Sequence, residues 1–326
     1  MKRILGGLWA LAALIGVSAL SYTAAAQTYP SRPITLVCTF PAGTGADIYV
    51  RYFVEPLQKK LGQNVIVENK GGAQGNIGTE FAARQKPDGH TILIAPGSST
   101  MAAAQSTFKQ LPFNPDKDFA PVAMLVKLGF VLTVDAKSPY KTLPELTEAM
   151  KKKGDAGKYG SGSNTGLVTA ELYKAAYDLK TVEVRYTDAM TGLNDLLGGQ
   201  LDFYSMDSAF AKGQVASGKI RALAQTTTER ATGFENVPTV KELGIPGFEK
   251  MEPWWAAYVP AGTPKPIIDR LEAVFTEIVK MPETKEFFTK IGGEPYPGDR
   301  ELVARLQKEE TEAWKRYVKL AKIEPM

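Results

Sequence analysis

Short strand-like segments and amphipathic helix-like segments alternate along nearly the whole chain, and this alternation limits the possible folds more than any other feature. The apolar run ITLVC, residues 34–38, precedes a helix-like segment whose apolar residues recur on one face. VIVE, residues 65–68, precedes a glycine-rich turn and a further helix. Alternation of this kind is typical of parallel sheets with helices on their faces. The sequence therefore predicts an α/β protein.

The middle of the chain repeats this scheme, and a strongly helical segment follows it. Two α/β units and a helical tail predict two lobes, with the tail returning to the first. We expect residues 27–126 and 255–326 to form lobe 1 and residues 127–254 to form lobe 2, each a mainly parallel sheet flanked by helices. Ligands of such sheets bind beyond the carboxyl ends of the strands, where the polar glycine turns fall. The expected site is therefore the cleft between the lobes.

The first 26 residues have the pattern of a secretory signal peptide. Lys2 and Arg3 precede an apolar run from Leu8 to Leu20, and three alanines end at Ala26. The alternative is a membrane anchor, but a span needs about 20 apolar residues, and this run is shorter. We predict export to the periplasm with cleavage after Ala26, which leaves about 300 residues, enough for two domains.

The net charge argues against a nucleic-acid-binding protein, and the cysteine content excludes a disulfide within the chain. The formal net charge is +4 and includes Lys2 and Arg3, so the mature chain is closer to neutral and has no basic footprint for nucleic acid. The sequence has one cysteine, Cys38, within the apolar strand ITLVC. A disulfide within the chain is therefore impossible, and we interpret Cys38 as a small buried residue.

Motifs for catalysis are missing from the sequence. Its one histidine, His90, begins a strand and is interpreted as structural, and there is no HExxH, CxxC or G-x-S-x-G pattern. The turn GTGADI has Ile48 where a dinucleotide fingerprint needs its third glycine. We therefore expect no catalysis, no metal and no cofactor. A cofactor-dependent enzyme that uses the same cleft stays open as the alternative.

The turn TFPAGTGADIYVR, residues 39–51, leads from a strand into a helix. Unpartnered N–H groups at a helix start attract anions, and the segment from Thr39 to Asp47 has no lysine or arginine. Any attraction for an anion must come from N–H groups, the helix dipole and the Thr44 hydroxyl. The turn therefore predicts a site for an anion, and a dinucleotide enzyme, a nucleotide hydrolase and a binding protein for small carboxylates would all use such a turn.

The chain resembles the Bug family, the periplasmic solute receptors of tripartite tricarboxylate transporters. The resemblance covers nearly all of the mature chain. It rests on Tyr29 to Pro33, the turn from Phe40 to Asp47, and the motifs VIVENKGGAQGNIGT, KPDGHTIL, DFAPVAML, DLLGGQLDF, GKIRALA and PAGTPK. It implies a two-lobed Venus-flytrap fold without catalysis, a carboxylate held by backbone amides and ordered water, and delivery to membrane permease subunits. We expect a monomer.

Carried over position by position, the resemblance implies ligand-binding residues in both lobes. In the first lobe they are Phe40, Ala42, Gly43, Thr44, Asp47, Gln74, Ser98 and Ser99. In the second lobe they are Ser163, Asn164, Thr165, Tyr204 and Asp207. Because Asp47 is acidic, we interpret it as a residue that orders its own turn.

Several positions depart from the family pattern and leave the ligand open. Thr44 and Gln74 stand where family turns often have glycine, and Leu167 replaces a common histidine. Thr187-Asp188 replaces a common Lys-Gly pair, and Met206 takes a position often held by aspartate. Phe40, Tyr204 and Trp254 would suit an aromatic acid, whereas an aliphatic dicarboxylate is equally compatible. A ligand-sensing subunit of a signalling system is a further alternative.

Overall fold

The computed structural model describes residues 29–186, 189–227, 229–248, 253–320 and 322–326. The expected signal peptide and the Thr187-Asp188 pair lie outside these residues. None of the helices formed by the described residues is both long and apolar enough to cross a membrane.

Strands and helices alternate as the sequence pattern predicts. The strands are β1 (Ile34–Cys38), β2 (Val65–Asn69), β3 (Thr91–Pro96), β4 (Phe119–Leu128), β5 (Phe130–Asp135), β6 (Lys158–Ser161), β7 (Val182–Arg185), β8 (Phe203–Asp207), β9 (Ile220–Gln225), β10 (Trp254–Pro260) and β11 (Gly293–Gly298). The helices are α1 (Gly45–Tyr52), α2 (Val54–Leu61), α3 (Asn76–Ala83), α4 (Ala104–Thr107), α5 (Leu143–Lys153), α6 (Asn164–Tyr177), α7 (Ala189–Leu197), α8 (Ser208–Ala216), α9 (Lys265–Lys280), α10 (Pro282–Lys290) and α11 (Arg300–Leu320). Short helical turns cover Ala73–Gly75, Gly97–Ala102 and Gly154–Ala156.

The strands form two separate sheets, one in each lobe. The order is β11-β4-β10-β3-β1-β2 in lobe 1 and β7-β6-β8-β5-β9 in lobe 2. β1 is parallel to β2 and β3, and β6 is parallel to β7 and β8, whereas the remaining ladders are antiparallel. The two-lobed α/β fold with mainly parallel sheets is confirmed, because β1, β2, β3 and β4 run in one direction in lobe 1, as do β6, β7, β8 and β9 in lobe 2. β5 and β10 each receive the chain from the other lobe, and both run antiparallel to their neighbours.

The chain first passes from lobe 1 to lobe 2 at a short connection. Gly129 is the single residue between β4 of lobe 1 and β5 of lobe 2, and the return path enters lobe 1 at β10. The residue boundaries given above for the lobes stay a prediction.

Each lobe has its own apolar core, and β1 is buried in the core of lobe 1. Ile34, Leu36 and Cys38 are fully buried in the lobe 1 core, and Cys38 is a free thiol, as predicted. Helix α11 contributes to both lobes, because Val303 packs into a lobe 1 cluster and Trp314 into the lobe 2 core. Burying one such large side chain stabilises the fold by about 1.5 to 3 kcal/mol.

Candidate functional site

A cavity of about 60 Å³ lies between the two lobes. It is lined by Phe40, Pro41, Thr44, Ala46, Tyr49, Pro96, Ser99, Leu128, Phe130, Gly162, Ser163, Thr165, Ala189, Tyr204, Ser205, Met206, Asp207, Pro253 and Trp255. Most of its wall is apolar, and a few hydroxyl groups and one carboxyl group interrupt it. A cavity this small suits a compact ligand, because sites for drug-sized molecules have about 300 to 1,000 Å³.

The start of α1 forms the lobe 1 side of the cavity. Thr44 caps the helix, because its hydroxyl accepts a hydrogen bond from Asp47 N at 3.4 Å and donates one to the carbonyl of Pro41 at 2.7 Å. Thr44 and Ala46 both line the cavity. The first N–H groups of a helix have no partner within it, so this end of the cavity favours an anionic group.

Asp47 belongs to the framework of this turn and does not line the cavity. Its carboxylate accepts hydrogen bonds from Gly43 N at 2.9 Å, from Arg51 Nε at 2.8 Å and from Asn69 Nδ2 at 2.8 Å. Burial alone would raise the pKa of Asp47, but these bonds outweigh it and hold the pKa below its ordinary value. The interpretation that Asp47 orders its own turn is confirmed.

The other lobe 1 residues expected at the site divide into two groups. Phe40 and Ser99 line the cavity, whereas Ala42, Gly43, Gln74 and Ser98 do not. Ser98 donates a hydrogen bond to Glu310 of α11. Gly43 has a φ of +82°, so a substitution there would strain the backbone and would not report on ligand contact alone.

Gln74 is strained and lacks a side-chain partner. Its φ is +54°, a conformation that residues other than glycine rarely adopt, and its buried Oε1 has no hydrogen-bond partner. Gln74 therefore adopts a strained backbone conformation in this turn of lobe 1, and it is not part of the cavity wall.

In lobe 2, four of the five expected residues line the cavity: Ser163, Thr165, Tyr204 and Asp207. Ser163 caps α6 by accepting a hydrogen bond from Gly166 N at 3.2 Å. The fifth, Asn164, instead connects the lobes, because its Nδ2 donates to the carbonyl of Ser99 at 3.3 Å and to Thr107 Oγ1 at 3.2 Å.

Among the described residues, Asp207 is the one carboxylate that lines the cavity, and no lysine, arginine or histidine of the described chain lines it with Asp207. It caps α8, where its Oδ1 accepts a hydrogen bond from Phe210 N at 2.8 Å. Burial raises the pKa of Asp207 above its ordinary value, although hydrogen bonds from backbone N–H groups of Phe210, Asp207 and Ala209 oppose the rise. Asp207 Oδ1 also lies only 2.6 Å from where a Cβ on Gly45 of lobe 1 would be.

Two buried hydroxyl groups on the cavity wall lack hydrogen-bond partners. Tyr49 is 1% exposed and Ser205 is fully buried, and neither Tyr49 OH nor Ser205 Oγ is paired within the described chain. Burial and the charge of Asp207 raise the pKa of Tyr49 well above its ordinary value, so its hydroxyl stays a donor. An unpaired buried polar group costs about 1 to 3 kcal/mol, which a bound polar molecule would recover.

Sequence reasoning missed Tyr49, Ser205 and Trp255. Trp254 was expected near the cleft, but it is Trp255 that lines the cavity, because successive residues of β10 point to opposite faces of the sheet. Trp254 instead donates a hydrogen bond to Glu310. The sequence predicts that Trp254 and Trp255 point to opposite faces of the sheet. It does not show which of these faces lies toward the other lobe.

Contacts between the lobes beside the cavity hold them together in this structure. Ser208 Oγ donates to the carbonyl of Gly292 at 2.6 Å, and Lys212 Nζ donates to that of Thr289 at 2.8 Å. Ala209 of α8 packs into the lobe 1 core. The cleft is therefore closed here.

Other titratable groups give no support for catalysis at this site. His90 is 5% exposed, accepts a hydrogen bond from Ser31 N and lies against Asp88, away from the cavity wall. Among the described residues, no group of three or more histidine, cysteine or acidic side chains could hold a metal.

Comparisons with known proteins agree on one kind of protein. Residues 49–323 match the family model for the tripartite tricarboxylate transporter family receptor. Protein BugT of Bordetella pertussis is 32% identical over 300 residues, which are 90% of this chain and 90% of BugT.

Two solved structures are similar over almost their whole length. The structure described as R. palustris Rpa4515 with adipate has a TM-score of 0.86 and 26% identity, covering 91% of this chain and 100% of that one. MatC (Rpa3494) from Rhodopseudomonas palustris with bound malate has a TM-score of 0.82 and 28% identity, covering 89% and 100%.

Proposed function

This chain belongs to the Bug-type receptors of the tripartite tricarboxylate transporter family, and from that membership we propose that it captures a small carboxylate between its lobes and delivers it to membrane permease subunits. Proteins of this family are periplasmic solute-binding proteins and not enzymes. The observation that carries the proposal is the cavity wall, which combines a helix start with residues from both lobes, among them Tyr49 and Ser205, whose buried hydroxyl groups have no partner in the described chain.

The proposed ligand carboxylate lies against the first turn of α1. The N–H groups at the start of α1, beside Thr44, belong to lobe 1, and the hydroxyl groups of Ser163, Thr165 and Ser205 complete the contacts from lobe 2. A hydrogen bond to a charged group contributes about 1.5 to 3 kcal/mol, so three or four of them account for the roughly 8 kcal/mol of a micromolar ligand. Neutral donors also avoid burying a cation when the site is empty.

Binding is proposed to favour the closed arrangement of the lobes. Each lobe alone presents only part of the cavity wall, so a ligand gains its full set of contacts only when the lobes meet. A ligand shifts such an equilibrium by its difference in affinity for the two states. We further propose that residues 1–26 direct export, that they are removed, and that the mature chain acts as a monomer that binds no nucleic acid.

Similarity to proteins with adipate and malate supports an aliphatic acid, and the aromatic residues Phe40, Tyr204 and Trp255 on the wall are also compatible with an aromatic one. A sensing role would use the same cavity and differ only in the partner that receives the bound form. Loss of carboxylate uptake in cells that lack this protein supports transport, whereas unchanged uptake favours sensing.

The direct test is a thermal-shift screen over aliphatic and aromatic mono-, di- and tricarboxylates, amino acids included. A ligand at a hundred times its dissociation constant stabilises the folded protein by about 2.7 kcal/mol, which raises the melting temperature by several degrees. The amide of the best acid serves as the control, because it keeps the shape and lacks the charge. If nicotinamide or flavin cofactors shift the melting temperature and no carboxylate does, the proposal is wrong.

A further inference from the structure

The described cavity wall has an acidic side chain, Asp207, which a site for simple carboxylates would not need. Among the described residues that line the cavity, Asp207 alone has a carboxyl or basic side chain, and its ionised form is negative. No described lysine, arginine or histidine forms an ion pair with it. A ligand carboxylate enclosed with Asp207 in so small a space would be repelled by it, because like charges interact strongly away from water.

Helix capping explains part of the position of Asp207 but not all of it. Backbone N–H groups at the start of α8 favour its ionised form, as at other helix starts. Caps elsewhere in this chain need no charge, however, since Thr44, Thr142 and Ser163 cap α1, α5 and α6 with hydroxyl groups. Capping alone therefore does not require a carboxylate inside the cavity.

The surroundings of Asp207 point to a molecule with both a donor and an acceptor. Tyr49 OH and Ser205 Oγ are more than nine-tenths buried, lie on the same wall and have no partner in the described chain. Hydroxyl groups and the α1 helix start can hold a carboxylate, whereas the Asp207 carboxylate can only accept. The two halves of the wall therefore differ in the charge that they favour.

On these grounds we propose that the ligand is a small zwitterion, a carboxylate that also has a protonated amine, and that Asp207 pairs with the ammonium group. This inference rests on the proposed carboxylate-binding function and narrows its substrate class. The ligand carboxylate lies toward Thr44 and the start of α1, and the ammonium group lies toward the start of α8. The ligand then supplies a positive charge that the described part of the cavity wall lacks.

Matched acids with and without an amine test the inference by isothermal titration calorimetry. The pairs are propionate and alanine, succinate and aspartate, glutarate and glutamate, and 3-phenylpropionate and phenylalanine. In the pair that binds, the amino member is expected to bind at least tenfold more tightly. Malate, which has a hydroxyl group in place of the amine of aspartate, is expected between aspartate and succinate.

Asp207→Asn identifies the residue responsible. Asparagine caps helices as well as aspartate does, so the variant is expected to fold normally and to lose at least tenfold in affinity for the amino member only. Asp202→Asn is the matched control, because Asp202 is a lobe 2 carboxylate that pairs with Lys153 and does not line the cavity. It is expected to keep the preference of the parent protein.

The outcomes separate the two proposals. Tighter binding of the amino member, abolished by Asp207→Asn and kept by Asp202→Asn, supports the inference. A preference that persists in Asp207→Asn overturns the role of Asp207. Equal or tighter binding of the acid without an amine overturns the zwitterion and leaves the carboxylate function standing. If no member of any pair binds, the zwitterion inference fails, and the carboxylate function is decided by the thermal-shift screen over the wider set of acids.

Discussion

Asp47 and Asp207 both stand at the start of a helix, on opposite sides of one cavity, yet their surroundings differ. Asp47 receives hydrogen bonds from Gly43, Arg51 and Asn69 and does not line the cavity. Asp207 is bonded only by the N–H groups of its own helix start and faces the enclosed space. An acidic residue whose partners lie within the protein supports the fold, whereas one without a counter-ion is available to a ligand.

The largest expected effect is on stability at Asp47. Asp47→Ala removes three hydrogen bonds to a charged group and is expected to lower the free energy of unfolding by about 3 kcal/mol. Asp207→Ala loses mainly a helix cap and is expected to lower it by about 1 kcal/mol. Urea denaturation measures both values, and similar losses in the two variants would contradict the contrast between these residues.

The pH dependence gives these two residues opposite signs. The pKa of Asp47 is lowered by folding, so its contribution to stability is fully present above its ordinary value of 3.8 and is lost as the pH falls through the folded value. The pKa of Asp207 is raised, so its ionisation opposes folding, and the protein regains that stability as the pH falls through the raised value. The free energy of unfolding of the parent protein minus that of Asp47→Asn should therefore fall in acid. The same difference between the parent protein and Asp207→Asn should rise.

A second effect concerns the approach of Asp207 to lobe 1. Gly45→Ala places a methyl group 2.6 Å from Asp207 Oδ1, closer than atoms pack, so the lobes can no longer close fully. We expect ligand binding to weaken about tenfold, or 1.4 kcal/mol, by calorimetry. Because alanine is the better helix former, the empty protein should not lose stability.

The matched control for Gly45 is Gly213, which also lies in a helix that begins beside the cavity. A Cβ on Gly213 would meet no atom within 4 Å, so Gly213→Ala should bind ligand like the parent protein. Unchanged binding by Gly45→Ala would show that the lobes do not meet at Asp207 in the bound state.

The smallest effect separates two buried tyrosines. Tyr49 and Tyr258 are each 1% exposed with an unpaired hydroxyl group, but only Tyr49 lines the cavity. Tyr49→Phe and Tyr258→Phe should each raise the free energy of unfolding by up to about 1 kcal/mol, because an unpaired buried hydroxyl group is removed. Only Tyr49→Phe should weaken ligand binding, by severalfold in a titration. Equal binding by both variants would place the ligand away from Tyr49.

Local patterns were sufficient for the elements of the fold, and they failed where distant segments meet. The alternation of ITLVC and its successors with helices predicted the α/β architecture, because strand and helix periodicity are properties of short windows. Pairing direction is not such a property, which is why the antiparallel placement of β5 and β10 was missed.

The candidate site shows the same limit at the level of single residues. Thr44 could be predicted because the turn that begins α1 has a recognisable sequence, whereas Ser163 and Asp207 were implied by the family resemblance, and all three line the cavity. The sequence does not mark Tyr49 as a site residue, because its position on α1 is typical of a core residue as long as the position of the other lobe is unknown. Asn164 was expected at the ligand, and its contact with Ser99 and Thr107 depends on how the lobes meet.

Helix α11 packs against both lobes and is therefore a mechanical link between them. Val303 is anchored in one lobe and Trp314 in the other, and the backbone of Met326 exchanges hydrogen bonds with Thr107 and Lys109 just beyond the helix. Any rotation of one lobe against the other must therefore bend this helix or shift it against the core of one of the two lobes. A fluorophore attached near the end of this helix would move with that rotation and would report ligand capture optically.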